Sequence, residues 1–337
     1  MTLRHETTDG ARLRRADLHL HTRFSEWKRL RIIKSRECYS DPLDAYARCK
    51  DLGMDFVAFT DHDTIDGALD LLSRRPDLEP EVIVGEEVET RFPDTGLWIH
   101  VNVFDIDESI HADLARLRPN VFDLVAYLRE RRIFHVLNHP FWGYRLREGA
   151  SAYIEEILRL FDHFEVGNST QPARHNEAVA EMLDYASAFS TRKHGVGGSD
   201  AHNLRNIARY WTEAPVPDGI DSGKREWLAA VARGEGRAVG STIGAAALMA
   251  DVYRIIGRYY LSLREPEMRR TMRVRNYLAA AALAPASLAG VPAFFSLGMS
   301  LRIETATLAI RRALRRLRRE REETALPAPE LAESPLD

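Results

Sequence analysis

The chain has 337 residues, 45% of them hydrophobic and 29% charged, which is the balance of a soluble globular protein and leaves room for one large α/β domain with an appendage. Its two cysteines, Cys38 and Cys49, stand in no CxxC spacing, which argues against a disulfide framework or a thiolate metal site and suits a reducing cytoplasm. The net charge of −3 is unevenly spread: residues 241–337 carry 15 basic residues, all Arg, against 10 acidic ones. That shift sets a boundary near residue 240 and predicts a different partner for the C-terminal part. Met1–Arg15 is polar and lacks the apolar stretch of a secretory leader, so a cytoplasmic location is expected.

In chain order, Ala16–His21 alternates and reads as a buried strand, with His19 and His21 on one face. A basic, irregular connection, Arg23–Tyr39, leads to Ser40-Asp41-Pro42, a helix start, and the helix Leu43–Leu52 ends at Gly53. Asp55–Thr60 is a strand that delivers Asp61-His62-Asp63, and the helix Ile65–Arg75 stops at Pro76. Val82–Gly85 is a buried strand running into Glu86–Glu89, and Trp98–Asp105 is a strand that contains His100. Three further helix and strand pairs follow. Helix Val121–Arg132 precedes strand Ile133–Leu137 and Asn138-His139-Pro140. Helix Tyr153–Leu160 precedes strand His163–Val166 and Gly167-Asn168. Helix Asn176–Phe189 precedes strand Gly195–Gly198 and Ser199-Asp200-Ala201-His202. About seven such units predict a (β/α) barrel with its chemistry at the C-terminal strand ends.

His19, His21, Glu26, His62, Glu87, His100, His139, Asp200 and His202 are the candidate site residues. Each has an ordinary alternative: a core histidine at His100, turn chemistry at His139, a helix cap at Asp61 or Asp200. Together they need a common explanation, because buried imidazoles and carboxylates are costly unless paired or bound to a metal. A set of N and O donors without thiolates fits Mn, Fe or Zn in a centre of two or three ions. No P-loop, GxGxxG unit or Ser-His-Asp arrangement is present.

Five motifs occur in the order and approximate spacing of the PHP (polymerase and histidinol phosphatase) family, which residues 13–240 resemble. They are His19-Leu20-His21, Thr60-Asp61-His62-Asp63, Gly85-Glu86-Glu87, Asn138-His139-Pro140 and Gly198-Ser199-Asp200-Ala201-His202. The resemblance implies a distorted (β/α)7 barrel with a trinuclear centre that hydrolyses phosphate esters by a metal-bridging hydroxide. Carried over by position, it implies one ion on His19, His21, Glu87 and Asp200, and a second on Glu87, His100 and His139. A third would sit on Glu26, His62 and His202. Glu26 stands where the family usually has Asp, and Asp41 is set aside because Asp41-Pro42 fits a helix cap. His62 or His202 would pass a proton to the leaving group, and Arg145 and Arg174 would clamp the phosphate. The expected substrate is a small phosphorylated metabolite or nucleotide. The alternatives are an exonuclease or oligonucleotide phosphoesterase, and a non-catalytic metal-binding regulatory module. A homo-oligomer is compatible with either.

Residues 241–323 read as a helical appendage. Residues 241–275 form an amphipathic helix with Val252, Ile255, Ile256 and Tyr259 at helical spacing. Tyr277–Leu301 is an uncharged run of 25 residues, long enough to span a membrane, yet it holds Pro285, Gly290 and Pro292. It reads first as a helical hairpin against the barrel or a partner chain, next as an interfacial membrane segment, and last as a single span. Ile303–Glu323 is a basic amphipathic helix suited to docking on the barrel, to an anionic membrane surface or to nucleic acid. Thr324–Asp337 reads as a disordered tail.

Overall fold

A computed structural model describes residues 12–25, 36–145, 149–189, 192–216, 223–266 and 273–325. The expectations placed on Glu26 and on the tail beyond residue 325 lie outside the described residues. The barrel half comprises β1 (Arg12–Asp17), α1 (Pro42–Asp51), β2 (Phe56–His62), α2 (Asp66–Arg74), β3 (Val82–Arg91), β4 (Trp98–Phe104), α3 (Glu108–Leu117), α4 (Val121–Glu130) and β5 (His135–Asn138). It continues through α5 (Ala150–Leu160), β6 (His163–Asn168), α6 (Ala173–Phe189), β7 (His194–Gly198), β8 (Tyr210–Val216), α7 (Lys224–Ala232) and β9 (Arg237–Gly240). Three helices follow: α8 (Ala245–Ser262), α9 (Val274–Ala289) and α10 (Val291–Ala325).

The strands form one sheet in the order β7-β6-β5-β4-β3-β2-β1-β8-β9. It curls until its ends nearly meet. Gly197 N donates to Thr212 Oγ1 and the hydroxyl returns the bond to Gly197 O, both at 2.9 Å. Past the strands, Asp200 N donates to His19 O at 2.7 Å and His21 N to Ala201 O at 3.2 Å. The result is a mixed α/β fold on a nearly closed barrel sheet, with a C-terminal helical segment.

Two features depart from the expected (β/α)7 pattern. First, β1 ends at Asp17, so His19 and His21 lie on an extension of it, held by the single bridge Leu20–Ala201. Second, β4 runs antiparallel to both β3 and β5. The link from Arg91 to Trp98 is a tight turn with Gly96 at φ +69°, too short for a helix, so the chain must reverse. Sequence reading also passed over α3, α7, β8 and β9, where short segments carry little periodic signal. At α1 the expected cap is present, with Asp41 Oδ1 accepting from Leu43 N at 2.9 Å.

Side-chain parity explains where the polar groups go. Phe56 and Ala58 on β2, Ile83 on β3, Phe104 on β4 and Val136 on β5 pack inside the barrel. Counting by twos along the same strands reaches His62, Glu87, His100 and Asn138. The parity that fills the lower barrel with apolar side chains therefore lines its upper rim with donors. Because β4 is reversed, His100 near its start reaches the same rim that His62 and Glu87 reach at strand ends. On the outside, Val101, Val103, Leu124, Ile154, Phe164 and Met182 belong to a larger core between sheet and helices.

In α10, Ala306, Ile310, Ala313, Leu314 and Leu317 are buried in that outer core, and Ile303 is buried as well. Arg311 pairs with Glu181 of α6, and Arg318 Nη2 donates to Glu181 O at 3.1 Å. The uncharged run 277–301 is therefore divided between two helices, α9 and α10, which part at Gly290.

At the far end of the barrel His135, His163 and His194 open three successive strands. The His163 and His194 rings stack at 5.2 Å, and a Cβ on Gly234, which has φ +81°, would collide with the His194 ring. Burial, then the neighbouring His194 and His135, lower the His163 pKa to about 4. The folded protein keeps this imidazole neutral while the unfolded chain takes up a proton below about pH 6.5. Stability from His163 is thus present above that pH and lost as pH falls towards 4. Between pH 7 and pH 5, the unfolding free energy from urea titration should fall about 2 kcal/mol further for wild type than for His163→Gln. Equal losses in the two proteins would show that His163 is not held neutral.

Candidate metal centre

At the rim, the Glu87 carboxylate is fully buried and five imidazoles reach it among the described residues. His62 Nδ1 lies 3.0 Å from Oε2, with His19 Nε2 at 3.3 Å and His21 Nε2 at 3.4 Å. His100 Nδ1 lies 3.0 Å and His139 Nε2 3.2 Å from Oε1, to which Asn138 Nδ2 donates at 2.9 Å. Asp200 Oδ1 stands 3.6 Å from His19 Nε2 and 3.4 Å from His21 Nε2. On the other side, Glu37 Oε2 lies 3.0 Å from His62 Nε2 and 3.5 Å from His202 Nε2.

The other edges of these rings are anchored, and the anchors fix tautomers. His202 Nδ1 is 3.0 Å from Asp200 O, a carbonyl that can only accept, so Nδ1 carries a proton and the Nε2 edge faces Glu37. Ser25 Oγ gives its proton to Asp61 Oδ1 at 2.9 Å, so it accepts from His21 Nδ1, also at 2.9 Å. His19 Nδ1 donates to Glu165 Oε1 at 2.8 Å. His19 and His21 therefore also turn their Nε2 edges inward. Those two Nε2 atoms and Glu87 Oε2 are buried and make no hydrogen bond among the described residues, although each Nε2 lies within 3.4 Å of that oxygen.

Backbone supports lie beneath the rings. Asp17 accepts from His19 N at 3.2 Å, Ser199 N at 2.8 Å and Ala208 N at 2.9 Å. Burial, only partly offset by these bonds, raises its pKa to about 6. Asp61, weighed from sequence as a helix cap, is instead buried beneath α2. It accepts from Thr22 N at 2.6 Å and Thr22 Oγ1 at 2.7 Å. Asp63, His139 and Asp200 hold φ of +51°, +25° and +54°, strained values of the kind that gather at functional sites. A Cβ on Gly198 would collide with His19, so glycine is needed where β7 passes the β1 extension.

Charge follows this packing. Burial opposes ionisation of Glu87, but His19, His100 and His62 outweigh it and hold its carboxyl well below the usual range. Asp200 is likewise buried, and His19, His21 and His202 hold it well below its ordinary value. Burial and the adjacent His202 push His21 down to about 3, which keeps its ring neutral. Burial would lower His62, yet Glu87 and Glu37 raise it well above its ordinary value.

Of the residues singled out from sequence, His19, His21, His62, Glu87, His100, His139, Asp200 and His202 converge here. Groups close enough to share an ion include His19, His21 and Asp200; His62, Glu87 and His100; and His21, His62 and His202. Arg174 does not join them. It stands in the first turn of α6, largely exposed, and pairs with Glu304 of α10 at 3.7 Å. Arg145 is exposed on the loop after β5. Sequence reading missed Glu37, Glu165 and Ser25. Glu37 sits in an aperiodic connection, so only its nearness to the first motif could have flagged it. Glu165 falls inside a strand, three residues before Asn168 at the strand end, where only parity could have indicated it. Trp142 stands over the centre, 5.1 Å from the His100 ring and 5.8 Å from that of His139. Arg302 of α10 lies 5.5 Å from the Trp142 ring, and its guanidinium donates to Trp142 O at 3.1 Å.

Residues 184–226 match the family model PHP_C, described as PHP-associated. The chain is 32% identical over 76 residues to an uncharacterized protein of Methanocaldococcus jannaschii, MJ1587; the aligned part is 23% of this chain and 44% of that protein. Similar solved structures include PsfC from Pseudomonas syringae, at TM-score 0.49 and 16% identity over 74% of this chain and 98% of that one. A candidate metal-dependent phosphoesterase from Bifidobacterium adolescentis gives TM-score 0.45 and 15% identity over 65% and 96%. An amidohydrolase from Chromobacterium violaceum with bound sulfate gives 0.40 and 16% over 56% and 87%. The PHP-associated match covers residues 184–226, which include the Gly198–His202 motif.

Proposed function

We propose that the chain is a metal-dependent hydrolase acting on phosphate esters, with a small phosphorylated metabolite or nucleotide as substrate. The carrying observation is the inward Nε2 edges of His19 and His21, set by anchored Nδ1 atoms and facing the buried Glu87 carboxylate with no hydrogen bond among the described residues, while His202 Nε2 is turned towards Glu37. Such an array of N and O donors fits two or three divalent ions of the Mn, Zn or Fe kind. His19, His21, Asp200 and Glu87 would hold one ion, and Glu87, His100 and His139 a second. His62, His202 and Glu37 would hold a third, Glu37 taking the part expected of Glu26. Bound there, the ions would supply Lewis acidity towards a phosphoryl oxygen and acidify water.

The chain's own groups support hydrolysis by water. Burial pushes the Cys38 thiol up to about 12, so it is no thiolate, and its Sγ donates to His21 O at 3.3 Å. Ser25 and Ser199 spend their hydroxyl protons on Asp61 and Asp17. Among the described residues, none of these offers an activated nucleophile. Both ring nitrogens of His62 face carboxylates, so in this reading it holds an ion and is not the acid for the leaving group. Trp142 covers the rings and limits water, and Arg145 is the arginine left to meet the phosphate.

Elemental analysis of purified protein should find Mn, Zn or Fe, and metal-loaded protein should hydrolyse p-nitrophenyl phosphate or a nucleotide monophosphate. His21→Ala and Asp200→Ala should each lower that rate by at least about a hundredfold. Metal-loaded wild type inactive on phosphate monoesters and diesters would end the phosphoesterase reading. Glu37→Ala should reduce bound metal per chain while Glu26→Ala leaves it unchanged; the reverse pattern would return the third site to Glu26. Glu165→Gln, which weakens the anchor on His19, should reduce metal affinity about 10–100-fold.

A further inference from the structure

On α10, successive side chains advance about 100° around the axis. Ile303, Ala306, Ile310, Ala313, Leu314 and Leu317 fall on one side, all buried, and from Ala306 onward they belong to the outer core of the barrel. Phe294, Leu297, Leu301 and Leu308 share a narrow stripe on the opposite side, exposed by 79%, 59%, 58% and 45%. The same stripe continues into Arg312, Arg315 and Arg319, also exposed. One face of one helix thus passes from apolar to cationic. The neighbouring α9 adds exposed Val274, Leu278 and Leu288, with Arg273 and Arg275 at its foot. Between Tyr277 and Leu301 there is no charged residue, in a chain that is 29% charged.

We propose that this face is a docking surface for an anionic phospholipid bilayer, with the α9–α10 hairpin lying in the interface. Both halves of the stripe find a partner there. The apolar half enters the acyl boundary and the arginine row meets lipid phosphates. A second copy of the chain satisfies only one half. Parallel pairing sets arginine against arginine, and antiparallel pairing sets arginine against leucine and phenylalanine. Pro292–Thr324 is long and apolar enough to cross a membrane by length and composition. It does not cross as a whole, because its opposite face is fastened along α5 and α6 by Ile310–Leu317 and by the Arg311–Glu181 pair.

The test is flotation of the full chain with vesicles of phosphatidylcholine and phosphatidylserine, and with vesicles of phosphatidylcholine alone. Wild type should float with the mixed vesicles and stay behind with the neutral ones. The triple variant Phe294→Ser, Leu297→Ser, Leu301→Ser should not float. Arg312→Gln, Arg315→Gln and Arg319→Gln together should lower partitioning about a hundredfold. All six positions are exposed, and unchanged melting curves would show that both variants fold. Wild type that fails to float with mixed vesicles overturns the proposal, as does flotation of both variants at the wild-type level. So does a wild-type dimer in light scattering that the serine variant reduces to monomer while vesicle binding is absent. That outcome would assign the face to a second copy.

Discussion

The buried carboxylate of Glu87 is the constraint around which the upper barrel is arranged. A carboxylate out of contact with water is costly unless positive charge or strong donors surround it. Here five imidazoles and the Asn138 amide supply them, from three strands or their ends and one strand extension. The imidazoles impose the next requirement, because each ring must have its far edge held for the near edge to aim correctly. Glu165, Ser25 and the Asp200 carbonyl do this, and Ser25 in turn depends on Asp61. The rim is therefore a nested set of supported groups, with His19 Nε2, His21 Nε2 and Glu87 Oε2 in its interior lacking hydrogen bonds among the described residues.

Much of this was legible from sequence for a simple reason. The donors sit in short motifs at the ends of strands that announce themselves by apolar runs, and their order along the chain survives whatever the strands do. What could not be read was direction and distance. Nothing in Trp98–Phe104 says that it runs backwards; only the brevity of the Arg91–Trp98 link does, and His100 was found despite the wrong strand geometry. Glu37 was missed because the stretch between His21 and α1 has no period to count along. Arg174 was misplaced because α6 begins at Ala173, which turns an expected loop residue into a helix residue facing Glu304. Glu165 went unnoticed because an acidic residue within a strand resembles surface polarity until the barrel closes around it.

Separate demands shape the two ends of the barrel. At the lower end, His135, His163 and His194 are packed so that they stay uncharged. At the rim the same residue type is set against carboxylates. There Glu87 and its acidic neighbours raise His62 and His100 against burial, while His21, beside His202, stays low. Histidine content alone therefore says nothing of function, and the five rim motifs were informative because of the acidic residues within and beside them.

The helix α10 also bears on the centre through Arg302, which lies against the Trp142 ring and donates to its carbonyl. An unbroken helix of 35 residues is about 50 Å long and stiff over that length. One of its faces is buried from Ile303 to Leu317, and Arg302 lies at the start of that stretch, on the side of the exposed Phe294. The exposed Phe294 end and the Arg302–Trp142 contact above the rim thus belong to one rigid element. The part of the chain farthest in sequence from His19 is mechanically one step away from it.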